Sequence, residues 1–572
     1  MRIQSTRRAV GLRAAAALAI AALAGVTAAS SHANSHAPGV RVGQHATHAS
    51  ALGGSTLGPA RSISAASPMA MDSDLDEIDS ALAGWDLPSA EAAIDSDDNS
   101  IETQVKRGVL AVYEARYAEA EQLLAAAVAT EKLTPGSAAD EEARHYLALA
   151  RGAQRALGDT PFIIDNDEAT VRAVFAAEKD AIIAPYLFAA MENARTVMGE
   201  VIGIEPDHPI RFEFLDDPAK LAMVTPLTVD NIRTTGTVGV TKYRRIMMIT
   251  PRVMLYGYGW IDTAVHEYVH YVLTIRTGNQ APVWLQEGLA KLLETRWRRS
   301  TPDPLEPGVA YRLHQAIVRD DLVTFSEMYP SVAMLPSAER AALAYAEVET
   351  MLGLLYERKG SAGLAVLLDA VADGEDAEDA LARAWGGNFD SFMDEWKRVT
   401  KKRTARSEEG GELPGIVFKD DASDIPPERL GDVFSHLGGG KARQHARLGT
   451  LLQARGHDRA AAIEYERARK ADSRARKDPA LSKRLGKLYV ALDEFDKAAP
   501  LLDIAAAKEP EDANLAAAQG RAHLRSGDAA GAHDPLDRAI RNNPFIPTLH
   551  CDLAILAVGD DDRDREAAQC PE

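Results

Sequence analysis

The first chemical signal in the chain is the run His266-Glu267-x-x-His270. On a helix, residues four apart lie about 40° apart around the axis and about 6 Å apart along it. Both imidazoles can therefore meet one cation from the same face, as a metal site requires. Glu267 directly follows the first histidine, so its carboxylate is offset and can reach a water on the metal without displacing it. Zinc would bring that water's pKa toward neutrality, and Glu267 would take its proton during attack on a carbonyl. The alternative is a buried helix with two satisfied histidines. On a mostly apolar helix, two imidazoles and a carboxylate without partners would cost on the order of a few kcal/mol each, and a metal supplies the partners at once.

These residues need elements to hold them. Trp260 to Leu273 is helical by length and apolar around most of its circumference, so it should be buried. Ile210 to Leu215 alternates and reads as a strand. Thr237 to Val240 and Ile246 to Ile249 are further strand candidates around Tyr243-Arg244-Arg245. After a turn at Thr277-Gly278-Asn279, a second helix opens with Pro282-Val283-Trp284-Leu285-Gln286-Glu287-Gly288-Leu289-Ala290. On residue type alone, Glu287 could be a solvated carboxylate favoured by the start of the helix dipole. Asp262, four residues before His266, reads as a helix cap.

Together the two helices resemble the gluzincin zinc metallopeptidases, specifically the bacterial tetratricopeptide-repeat-associated type. The resemblance covers roughly residues 205 to 400, and carries over residue by residue. It implies one Zn2+ ion held by His266, His270 and Glu287, with Glu267 as general base. It implies a small sheet whose edge strand lines the cleft and pairs with extended peptide. Gly288 would let the second helix pack closely against the zinc helix. The family mechanism also asks for a group to steady an oxyanion. Tyr345 is the candidate, with Tyr271 and Tyr243 behind it, and packing roles stay open for all three. Ala344 to Glu347, Leu354 to Gly360 and Trp385 to Trp396 resemble the family's later helices.

At 572 residues the chain is too long for one core. Residues 1–33 read as a signal peptide: Arg2, Arg7, Arg8 and Arg13 precede the uncharged stretch Ala14 to Ala29, and Ser31-His32-Ala33 offers a cleavage site. An uncleaved membrane anchor is the alternative, with no stable membrane insertion expected elsewhere. Residues 34–72 read as a disordered linker, 73–160 as a helical repeat-like domain and 165–405 as the peptidase domain. Residues 406–440 read as a second linker, 441–560 as tetratricopeptide repeats and 561–572 as a tail.

The repeat signal is internal. Gly449, Gly486 and Gly520 are each followed by alanine twelve residues on (Ala461, Ala498, Ala532) and nineteen residues on (Ala468, Ala505, Ala539). Small residues at these places let antiparallel helices approach, and Pro510 and Pro544 close the second and third units. Hydrophobic residues make up 46% and the net charge is −20. So acidic a chain repels phosphate backbones, and the basic run Lys397 to Arg406 reads as a solvated helix end, so nucleic acid is not an expected partner. With only Cys551 and Cys570, a cysteine-based zinc site is excluded on ligand count; the two could pair or remain free thiols.

The expected fold class is an α+β zincin-like core, a small mixed sheet plus zinc-binding helices, flanked by all-α repeats. The expected function is hydrolysis of peptide bonds in the periplasm or outside the cell, with the repeats binding substrate or a protein partner. A catalytically inactive scaffold is the alternative from another class, and a hydrolase of non-peptide amides is a third.

Overall fold

The computed structural model describes residues 73–94, 98–130, 132–407, 434, 437 and 440–570. The signal-like segment, the linker 34–72 with its histidines and nearly all of the linker 406–440 lie outside the described residues.

The chain opens with helical hairpins: α1 (Ser73–Ala83) with α2 (Leu87–Ala93), α3 (Ile101–Tyr113) with α4 (Tyr117–Ala129), then α5 (Ala138–Leu157). Each hairpin turn holds one residue in the left-handed region, Trp85 (φ 63°) and Ala115 (φ 58°). Helices α3 and α4 approach closely because Gly108 has no side chain. A Cβ there would lie 2.5 Å from Leu124 Cγ.

The same device recurs near the C-terminus. There α15 (Gly440–Gln453) pairs with α16 (Asp458–Ala471). After the short α17 (Ser473–Arg476), α18 (Pro479–Ala491) pairs with α19 (Phe495–Ala506) and α20 (Ala513–Arg525) with α21 (Ala529–Asn542). A Cβ on Gly449, Gly486 or Gly520 would come within 2.7, 2.7 or 2.5 Å of Tyr465, Leu502 or Leu536. The six repeat alanines named above are fully buried. Helix α17 lies between the first two hairpins, where Gly449 and Gly486 are 37 residues apart against 34 for Gly486 and Gly520. Residues 561–572, read as a tail, instead hold most of α23 (Asp560–Gln569), which follows α22 (Pro547–Leu556). A Cys551–Cys570 disulfide ties α23 down, and Glu566 takes the Tyr186 hydroxyl at 2.7 Å.

Between the helical regions lies a five-stranded sheet of order β1-β2-β3-β5-β4. Its strands are β1 (Phe162–Asp165), β2 (Val171–Phe175), β3 (Ile210–Leu215), β4 (Gly239–Lys242) and β5 (Arg245–Ile249). The central three run parallel, and both edge strands are antiparallel to their neighbours. Three sequence expectations shift here. β4 begins two residues later than expected, β1 and β2 were not anticipated, and Arg245 belongs to β5 rather than to the turn. Arg245 is tolerated in a buried strand because its guanidinium meets Glu213 (3.4 Å) and the carbonyl of Val112 (3.2 Å).

The alternation in β3 serves two buried faces. Phe212 and Phe214 point one way, with Phe214 edge-on to Trp260. Glu213 points the other way and takes Arg211 at 2.7 Å and the Tyr117 hydroxyl at 2.5 Å. Burial would raise the Glu213 pKa, but Arg211 and Arg245 outweigh it and hold the carboxylate charged. The N-terminal hairpins are thus fastened to the sheet by a buried cluster in which two guanidiniums and a phenol share the Glu213 carboxylate.

Helices α6 (Ala184–Ile202) and α9 (Trp260–Arg276) cover the first face. Two small helices, α7 (Pro218–Val224) and α8 (Val229–Thr235), connect β3 to β4. The turn after α9 uses left-handed Gly278 and Asn279 and leads into α10 (Val283–Leu293). Then come α11 (Pro307–Arg319), the long α12 (Ala338–Ala372), bent at Gly360, and α13 (Ala377–Trp385) with α14 (Phe389–Thr404).

Two further expectations need correction. Gly288 does not face α9: a Cβ there would lie 2.7 Å from Leu352 Cδ1 and 2.8 Å from the Val348 carbonyl of α12. Glu287 already faces α9, and the next residue is turned about 100° away. Because backbone cannot yield as a side-chain tip can, Gly288→Ala is expected to cost about 1–3 kcal/mol, read as a lower midpoint in chemical denaturation. Asp262 is no cap either. It sits in the first turn of α9 and accepts from Trp297 Nε1 (2.8 Å) and from Arg298 (3.0 and 2.8 Å), tying α9 to the chain after α10. The C-terminal hairpin abuts the same end of α9, where the Ile540 carbonyl takes Trp260 Nε1 and that of Asn542 takes the Tyr258 N–H, both at 3.0 Å.

Candidate metal centre

Helix α9 presents His266 and His270 on the face turned toward α10, and α10 presents Glu287 back to them. The Nε2 atoms of the two histidines are 3.2 Å apart. Glu287 Oε2 lies 3.3 Å from one and 3.4 Å from the other. These three atoms form a nearly equilateral triangle. A tetrahedral ion with zinc-like bonds of about 2.0–2.1 Å subtends ligand–ligand edges of about 3.3–3.4 Å, so the triangle is the right size. Glu287 Oε2 is buried and receives no hydrogen bond of normal geometry, and a metal ion would satisfy it. The donor set, two imidazoles and one carboxylate, suits zinc and leaves a fourth position free. Among the described residues this is the only cluster of three histidine, cysteine or acidic side chains close enough to share an ion.

The electrostatics favour a cation here. Burial opposes a charge on His266, but Glu287 and Glu294 outweigh it and push its pKa up to about 10. Burial likewise opposes a charge on Glu287, yet His270 and His266 hold its carboxyl well below the usual range. The carboxylates that favour a positive charge on His266 would equally favour a dication among the three ligands.

Glu294 was not singled out from sequence. Its Oε2 meets His266 Nδ1 at 3.0 Å, while its other oxygen accepts from Lys291 Nζ at 2.5 Å. The contact with His266 Nδ1 fixes the ring so that Nε2 faces Glu287 and His270, the orientation a metal ligand needs. Its signal was present but weak: Glu294 follows Glu287 by seven residues, two helical turns, on the same face. Glu294→Ala is expected to lower zinc affinity about 10–100-fold, measured by competition with a chromogenic chelator. An unchanged affinity would show that the imidazole orients without it.

Glu267 projects to the sheet side of α9, toward the edge strand. Its Oε2 accepts from the Thr241 hydroxyl at 2.7 Å, which also reaches the Glu267 carbonyl at 2.8 Å. A Cβ at Gly239 would lie 2.8 Å from Glu267 Oε1, so only glycine leaves that oxygen clear. Val238 accepts from Ile249 across β4 and β5. By alternation the N–H and C=O of Gly239 and Thr241 then point outward from the sheet.

Tyr345, in the second turn of α12, stands edge-on to His266 with ring centres 6.4 Å apart. Burial and then the carboxylates of Glu287, Glu267 and Glu294 push its phenol well above the usual value, so it keeps its proton. The structure does not bring the other two tyrosines here. Tyr271 turns to His208 (2.7 Å) and Trp85. Tyr243 packs among Tyr113, Tyr146 and His145.

Residues 190–402 match the family model of the peptidase MA superfamily, which supports a zincin-like peptidase domain in this part of the chain. No curated protein matches the sequence. Among solved structures, the crystal structure of the APC/C hetero-tetramer Cut9–Hcn1 aligns over 84% of this chain and 89% of that one. The identity is 13% and the TM-score 0.19, too low to bear on fold or function.

Proposed function

We propose that the chain is a zinc-dependent peptidase, exported from the cytoplasm, in which His266, His270 and Glu287 hold the ion and Glu267 is the general base. The observation that carries this reading is the 3.2, 3.3 and 3.4 Å triangle of ligand atoms, with Glu267 next in the chain to His266 and its carboxylate held by Thr241. When bound, the ion supplies a Lewis acid that polarises a carbonyl and lowers the pKa of water. The Thr241 hydroxyl holds one oxygen of Glu267, which leaves Oε1, on the Gly239 side, to accept a proton and pass it to the leaving amine. Tyr345 keeps its phenolic proton and donates it in a hydrogen bond to oxygen charge that develops beside His266. The outward N–H and C=O groups of Gly239 and Thr241 offer an extended peptide a strand to pair with. The helical hairpins at either end offer surfaces for substrate or a protein partner. Export is supported by the N-terminal sequence and by the Cys551–Cys570 disulfide. No helix among the described residues is long and apolar enough to cross a membrane.

The test is zinc content together with hydrolysis of a mixed peptide library by the purified chain, before and after chelation. Bound zinc with cleavage that a chelator abolishes and zinc restores is expected. A chain that binds no zinc would sink the reading. Tyr345→Phe is expected to keep its zinc and lose about 10²–10³-fold in kcat; a loss confined to KM would make Tyr345 a packing residue.

A further inference from the structure

The edge strand beside Glu267 ends in a lysine that no carboxylate among the described residues neutralises. β4 pairs with β5 in the register Gly239↔Met248, Val240↔Met247, Thr241↔Ile246 and Lys242↔Arg245. Tyr243 and Arg244, with φ of 54° and 58°, make the two-residue turn between them. Side chains alternate along a strand. Gly239 and Thr241, which both meet Glu267, therefore share one face, and Val240 and Lys242 share the other.

Lys242 is half-buried, with its Nζ 5.3 Å from the centre of the Tyr243 ring. That tyrosine's hydroxyl meets His145 of α5 at 3.3 Å, so the lysine sits where the N-terminal hairpins approach the edge of the sheet. Among the described residues no carboxylate pairs with it, and burial alone acts on its pKa, pushing it down. Lys106, which is buried, and Lys291, half-buried like Lys242, are treated otherwise. Lys106 is held by Asp79 and by Glu142 (2.8 Å), and Lys291 by Glu294 (2.5 Å). In a chain of net charge −20, carboxylates are abundant, yet none of those among the described residues is placed against Lys242.

An extended peptide added to the outer edge of β4 would have its own side chains alternate in step with those of the strand. Residues directly across from each other share a face. Every second substrate side chain would thus point toward Val240 and Lys242, and the intervening ones toward α9 and the metal ligands. We infer that Lys242 selects peptides that carry an acidic side chain at the position lying across from it. This rests on the peptidase reading above. A carboxylate there meets a partly desolvated ammonium, where a charge-assisted hydrogen bond is stronger than in water. A lysine or arginine at the same position meets like charge.

The test uses zinc-loaded Glu267→Gln, so that binding is read without turnover. A fluorescent alanine-rich peptide series carries one glutamate moved stepwise along the sequence, with a matching lysine series. One register of the glutamate series is expected to bind about tenfold or more tightly than the all-alanine peptide. Adding Lys242→Met is expected to bring that register down to the all-alanine level, and Lys242→Glu to transfer the preference to the lysine series. Near-ultraviolet circular dichroism and zinc content establish that the variants are folded. Uniform affinity across the glutamate series, or a preference that survives Lys242→Met, overturns the inference alone. If no peptide binds and the unmodified zinc-loaded chain cleaves none, the peptidase reading fails and this inference with it.

Discussion

Glu267→Gln is expected to retain its zinc and to lose about 10²–10⁴-fold in kcat, the contribution of a positioned general base. The substitution keeps the size of the side chain, and the amide oxygen can still accept from Thr241, which now bonds Glu267 Oε2 at 2.7 Å. Its nitrogen cannot take a proton. The ligand triangle involves no atom of residue 267, so the metal has no reason to leave. Metal analysis by mass spectrometry and steady-state kinetics on one cleaved peptide check both halves. A kcat within a factor of two of the unmodified protein would place the base elsewhere. Loss of zinc would mean that Glu267 is itself a ligand.

His266→Ala is expected to lose zinc and turnover together. It removes one corner of the triangle and, in the same stroke, one of the two partners of Glu294, whose other oxygen keeps Lys291. Glu287 and Glu294 would then lose the imidazole that lies between them, with His270 remaining beside the one and Lys291 beside the other. Burial raises the cost of taking an ion-pair partner from either carboxylate. The variant should therefore also unfold at lower temperature than Glu267→Gln, which disturbs no ion pair. Competition against a zinc-specific chelator and thermal unfolding, each beside Glu267→Gln, give the comparison. Zinc retained with undiminished affinity would remove His266 from the ligand set.

These contrasting variants test the roles of residues that sequence spacing had already brought to notice. The i, i+4 histidines belong to one helix, and helix geometry alone puts their rings on a common face whatever surrounds them. The repeat glycines were equally legible for a local reason: each is pressed by a residue sixteen positions later in the same hairpin. The pattern extends further than it was first traced. Gly108, Ala120 and Ala127 repeat the spacing in the N-terminal hairpin, with both alanines fully buried. Degenerate flanking residues hid it.

Features that depend on distant segments were not legible. Asp262 has the position of a helix-start acid, but the Trp297 and Arg298 side chains that claim it arrive from beyond the next helix. Arg245 looks like a turn residue until Glu213 and the Val112 carbonyl are brought against it. β1 and β2 are short, and although Phe162-Ile163-Ile164 is apolar, β1 is mostly exposed and its run shows no alternation to mark a strand face.

By itself, then, the sequence determined what is set within a single helix or hairpin: the histidine pair with Glu267, the second helix bearing Glu287, and the small-residue packing of the repeats. Only the tertiary structure decided what depends on elements meeting. It brought Glu287 across to the two imidazoles, set Glu294 behind His266 and Thr241 on Glu267, turned Gly288 toward α12, and placed Tyr345 rather than Tyr271 or Tyr243 beside the ligands. Periodicity records which face of an element is buried, but a helix or strand carries no local mark of which partner will cover that face, and that choice belongs to the packing of the whole core.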